Sequence, residues 1–128
     1  MKKLNSKKLR ASSPSKKELV KIKRHDIYII IDNILDTFNI GSIFRLADAM
    51  AVKKILICGK SETPPNHRIT KASVNTWQWV EWEYFEHVAD AINKLKKINP
   101  KIQIIAIEQT QQSVDYKKVK YQHKYYIG

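Results

Sequence analysis

Short apolar runs alternate with stretches of helical periodicity along most of this chain, and that alternation constrains the fold more than any other feature. Ile27 to Ile31, Lys54 to Cys58, Val80 to Tyr84, Ile102 to Ile107 and Tyr125 to Ile127 read as strands. Several are apolar at successive positions, the pattern of a strand covered on both faces. Between them, Ile43, Ala47, Met50 and Ala51 fall on one face of a first helix, and Val88, Ala91, Ile92 and Leu95 on one face of a second. The second helix has Glu86 and Asp90 near its start, Lys94, Lys96 and Lys97 near its end, and Pro100 beyond, as the helix dipole and stop signals require. Strand, helix, strand in repetition predicts an α/β fold: a parallel sheet with flanking helices.

Residues 1–24 stand apart from that pattern. They carry ten Lys and Arg against one Glu, a charge of +9 out of the chain's +12, so residues 25–128 keep only +3. Residues 1–13 have little apolar material and predict a mobile arm. Ser15 with Glu18 three residues later is a capping box that predicts a short basic helix from about Lys16 to Lys23. So concentrated a positive field favours a polyanion, because each phosphate neutralised releases condensed counterions. Lys7, Lys8, Arg10, Lys16 and Lys17 are the candidate contacts. A solvated basic tail with incidental binding is the alternative, and charge by itself does not separate the two. Leu19, Val20 and Ile22 make too small an apolar face to favour a membrane surface.

The 128 residues, 43% hydrophobic, suffice for one core. No apolar run approaches the length of a bilayer span or follows the basic start as a signal peptide would. Cys58 is the sole cysteine, which rules out an intramolecular disulfide, and no Cys or His spacing suits zinc; a cytoplasmic setting and no metal are expected. Cys58 itself reads as inert core packing, and His87 and His123 acquire no role. With only Gly41, Gly59 and Gly128 available, neither a G-x-G-x-x-G turn nor a P-loop can be built.

The turn after the first strand, Asp32 to Gly41, feeds the first helix, and a helix start offers free N–H groups to an anion. Gly41 lets backbone approach closely, and Arg45 can grip a phosphate with two nitrogens. The bland alternative is an Asn39 cap with Arg45 paired to Asp48.

At these residues the chain resembles the SpoU/TrmH family of the SPOUT superfamily of RNA methyltransferases. Asn39-x-Gly41-x-x-x-Arg45, after a strand and the Asp32-Asn33 pair, is similar to the family's first motif. The similarity continues through Ala47-Asp48-Ala49, Ile55-Leu56-Ile57-Cys58-Gly59, Thr63-Pro64-Pro65 and Ile69-Thr70-Lys71. It extends through Trp82-Glu83-Tyr84-Phe85-Glu86 and Ile104-Ile105-Ala106-Ile107-Glu108 to Tyr126-Ile127-Gly128. Asn75-Thr76 departs from the pattern, where a Gly-Ala pair is common.

The resemblance implies a knotted α/β fold, a homodimer, and transfer of a methyl group from S-adenosylmethionine to a ribose 2'-hydroxyl in tRNA or rRNA. It assigns Arg45 to the RNA ribose-phosphate, with Asn39 as the second catalytic-site residue, organising the turn and touching the same phosphate. A guanidinium holds its proton in proteins, so orientation of the phosphate and stabilisation of a developing alkoxide suit Arg45 better than general-base work. Gly128 falls where the first donor-binding motif would begin, so the resemblance places the donor site and the knot beyond it, and the 128-residue chain is expected to be inactive by itself. The competing class is a non-catalytic RNA-binding fragment or a degenerate gene product.

One further region invites RNA. Ser61 to Thr76 reads as a long polar loop carrying His67, Arg68 and Lys71, followed by Trp77, Trp79 and Trp82. Cations beside aromatic rings suit an unpaired strand, because phosphates seek the charge and splayed bases stack on the rings. Arg68, Lys71 and Trp77 are therefore RNA-binding candidates; the alternative for the tryptophans is core or interface packing.

Overall fold

The computed structural model describes residues 12–107. The arm residues Lys7, Lys8 and Arg10, the expected strand at Tyr125 to Ile127, His123 and Gly128 lie outside the described residues.

A short helix α1 (Lys16–Lys21) leads into strand β1 (His25–Asp32), helix α2 (Thr37–Ala49) and strand β2 (Val52–Cys58). Helix α3 (His67–Ser73), a 3-10 turn (Thr76–Gln78), strand β3 (Glu81–Phe85) and helix α4 (Val88–Ile98) follow. The three strands form one sheet in the order β1-β2-β3, parallel throughout, with Ile29 opposite Ile55 and Ile55 opposite Trp82. The α/β class read from the alternation is what the chain adopts.

Period-two alternation in β2 explains why its residues are buried on both sides. Ile55 and Ile57 face Ile40, Phe44 and Ala47 of α2 and Ile69 of α3. Leu56 and Cys58 face Ala91 and Leu95 of α4. All four β2 side chains are at most 1% exposed, and full burial of an aliphatic side chain contributes about 1.5–3 kcal/mol. Helices α2 and α3 thus cover one face and α4 the other. Glu83 ties β3 to its neighbours, accepting from Lys54 of β2 (2.7 Å) and Lys94 of α4 (2.6 Å). Those two lysines hold its carboxyl below the usual range.

Four expectations need correction. The run Ile102 to Ile107 forms no strand: Ile102 packs against the α4 side, while Ile104, Ile105 and Ile107 are 42%, 44% and 78% exposed. An apolar run becomes a strand only where a neighbour completes its hydrogen-bond ladder. The Ser61 to Thr76 stretch is not a loop throughout, since α3 occupies its centre; Asn66 caps it, accepting from the N–H groups of Arg68 and Ile69. On α2 the buried residues are Ile40, Gly41, Phe44 and Ala47, while Met50 is 46% exposed. Of the expected stripe, Ala47 is buried and Ile43 packs against the core, but the stripe centres on Ile40 and Phe44 rather than reaching Met50.

The last correction concerns the arm. Its helix forms with the expected capping box, Ser15 Oγ accepting from Glu18 N (3.2 Å), but ends at Lys21. The chain at Ser12 is tied to the body: its carbonyl accepts from Trp79 Nε1 (3.1 Å) and Asn75 Nδ2 (3.3 Å). Arg24 belongs to the body as well. Its guanidinium donates to Asp48 Oδ1 (3.2 Å) and to the carbonyls of Trp79 (2.9 Å) and Val52 (3.2 Å). One of the arm's ten cations is therefore spent inside the fold.

Candidate functional site

The carboxyl ends of β1 and β2 form the face from which α2 and α3 depart. Their turns are laced together by hydrogen bonds that the sequence alone did not reveal. Asn33, at φ +54°, accepts from Lys60 N through its side chain (2.9 Å) and donates its own N–H to the Cys58 carbonyl (3.2 Å). Ser61 Oγ accepts from Ile34 N (2.8 Å). Gly59 takes φ +68°, which a side chain rarely adopts, and the space beside it is filled by the Asn33 amide.

Asn39 is not the cap of α2. Asp36 is, its carboxylate accepting from Phe38 N (2.9 Å) and Asn39 N (3.4 Å). The helix start that the sequence offers to a phosphate is thus occupied by a negative charge of the chain's own, and that phosphate site is closed. Gly41 is buried under α3: a Cβ there would stand 2.5 Å from Ala72 Cβ and 2.9 Å from the Ile69 carbonyl. The close approach that Gly41 permits is between two helices.

Arg45 stands differently. It is exposed in the third turn of α2, roughly 12 Å along the axis from the helix start. Asp48, its expected partner, is the residue that receives Arg24. Arg45 makes no hydrogen bond or ion pair to a described residue. Phe38 and Ser42 lie on the Arg45 side of the helix, and exposed Leu46 and Met50 (44% and 46%) continue that i, i+4 row away from it. Asn39 is also exposed, but six residues along a helix put it roughly 9 Å from Arg45 axially and about 120° around. The structure does not bring those two motif residues together on one face.

Arg68 lines an open cleft of about 650 Å³ with Leu35, Asp36, Glu62, Asn66 and His67, at the starts of α2 and α3. Lys71 is exposed in the last turn of α3. Trp77 packs against the α2 side of the core and is half-buried, and Trp79 is 6% exposed. Lys16 and Lys17 are exposed on α1. Asn75 takes φ +67°, a conformation that Gly adopts freely and Asn tolerates, so Asn can stand where the family pattern has Gly.

Cys58 is fully buried, and burial pushes its thiol up to about 11. Among the described residues no three His, Cys, Asp or Glu side chains gather to hold a metal ion. No described helix is long and apolar enough to cross a membrane.

Residues 26–127 match the model of the SpoU rRNA Methylase family. This chain belongs to that family. It is also similar to an uncharacterized tRNA/rRNA methyltransferase of Mycoplasma genitalium, 26% identical over 113 residues. That match covers 86% of this chain and 47% of the relative, so the chain spans about half the length of the curated protein it matches. Membership accounts for the spacing from Asn39 to Arg45. It does not by itself supply a donor site among the described residues, where the two glycine approaches are filled by Ala72 and Asn33.

Proposed function

We propose that the protein takes part in S-adenosylmethionine-dependent methylation of a ribose 2'-hydroxyl in tRNA or rRNA, with Arg45 on the RNA. The observation that carries this reading is Arg45 itself: an exposed cation within the family-matched segment, with no hydrogen bond or ion pair to a described residue. An exposed cation that no described residue engages is ready to pair with a phosphate. Its planar guanidinium holds the ribose-phosphate in place and stabilises the oxygen that gains charge as the 2'-hydroxyl loses its proton. Asn39 does not share that contact from the same helix face, so it serves the first turn of α2.

The basic arm extends the RNA surface, supported by exposed Lys16 and Lys17 and by the +9 charge of residues 1–24, less Arg24. Arg68 and Lys71 on α3 add to it. A homodimer is part of the same reading, supported by the exposed Phe38, Leu46 and Met50 along α2.

The test is a map of ribose methylation in the tRNA and rRNA of cells with and without the gene. The reading expects at least one 2'-O-methyl position to vanish on deletion. Unchanged ribose methylation with a lost base methylation would transfer the protein to another chemistry. An unchanged map throughout would favour an RNA-binding role without catalysis.

A further inference from the structure

Beside the start of β3, the chain before α1 and the helix itself form one wall of a groove of about 450 Å³. Pro14 and Leu19 line that wall; Trp77, Gln78, Glu81 and Trp82 line the other side. The wall is fixed in place, because the Ser12 carbonyl accepts from Trp79 and Asn75 and the capping box pins the helix start immediately after. Trp77 and Trp82 both pack against the core and remain only half-buried, so packing beneath sets the orientation of their rings.

We propose that this groove receives an unpaired RNA base, with the strand's phosphates running along α1. This rests on the RNA reading above and adds where, and by what chemistry, an unpaired strand is held. Three observations choose an RNA base over an apolar peptide or a second copy. The first is charge: Lys16 and Lys17 are exposed on the α1 wall, with exposed Lys21 and Lys23 following. The second is the pair of indole rings, which offer a stacking surface that any base can use. The third is the polar edge. The Glu81 carboxylate, 3.6 Å from Lys54 Nζ and still 68% exposed, can accept from a base amino group and disfavours phosphates on its own side. Gln78 spends its amide N–H on Asn75 (2.8 Å) and keeps a carbonyl oxygen to accept.

Tryptophan fluorescence of the full chain tests this, titrated with a single-stranded oligoribonucleotide and with a ribose-phosphate strand of equal length lacking bases. Stacking of one base is worth about 1–3 kcal/mol, so the normal strand should quench the fluorescence and bind about five- to hundredfold more tightly than the abasic one. Trp77→Leu should erase most of that ratio. Leu19→Glu, a change at an exposed position of the α1 wall, should reduce it without disturbing the fold. Equal affinity for the two strands, without quenching, overturns the groove proposal while leaving RNA binding intact. Failure of both strands to bind at low salt overturns the RNA reading and the groove together.

Discussion

Gly41 and Ala72 meet where α2 crosses α3, at a separation that leaves no room for a methyl group: a Cβ on Gly41 would stand 2.5 Å from Ala72 Cβ. The motif glycine is thus explained by helix packing. Gly41→Ala should destabilise the protein by about 1–3 kcal/mol, the usual cost of overpacking, read as a lowered urea midpoint. A variant of unchanged stability that had lost RNA binding would return Gly41 to the ligand.

Arg24→Ala should cost more than an ordinary surface change. Arg24 and Asp48 keep only 11% of their side-chain surface exposed, and the same guanidinium satisfies two backbone carbonyls. Breaking such a pair costs about 3 kcal/mol, the lower end of the range for fully buried pairs. Thermal unfolding checks this. A melting temperature unchanged from wild type would place Arg24 back among the solvated cations of the arm.

Cys58 should be protected by its place in β2. Its thiol is raised from 9.0 to about 11 by burial first and by nearby Asp32 second, so the thiolate is scarce at neutral pH. Iodoacetamide should label it in denaturant and not in the native protein. The sign for stability follows: the folded state holds the proton more tightly, so this contribution is whole below 9.0 and is lost as pH rises toward about 11. Rapid native labelling at neutral pH would contradict the buried placement.

The sheet and its flanking helices were legible because β2 and α4 are locally consistent: each has the right period, and α4 has matching charges at its two ends. The helix α3 was missed because only Ile69 and Ser73 of its seven residues are buried, too few to show a period. Asn66 before His67 was the available signal. Asn39 and Arg45 were legible only as a motif, and the motif concealed that Asp36, three residues earlier, does the capping. Nothing local could reveal Arg24 bonded to Asp48 and Trp79, since those partners lie 24 and 55 residues away. Ile102 to Ile107 misled because its composition is that of a strand, whereas strand formation depends on a neighbour.

The lysines of α1 make a charge prediction separate from the fold. Replacing Lys16 and Lys17 together by Gln should lower the slope of log affinity against log salt by about 1.4 for single-stranded RNA, from roughly 0.7 per phosphate contact. Both side chains are exposed, so stability should not change. An identical slope would remove α1 from the RNA surface.

The most direct test of Arg45 is complementation in cells lacking the gene, with ribose methylation of tRNA and rRNA mapped nucleotide by nucleotide. Because Arg45 is exposed and bonded to no described residue, Arg45→Ala should accumulate and melt like the wild type. The wild-type gene should restore the lost 2'-O-methyl position, and Arg45→Ala should leave it unmethylated. Full restoration by Arg45→Ala, at normal protein levels, would contradict the assignment of Arg45 to the RNA.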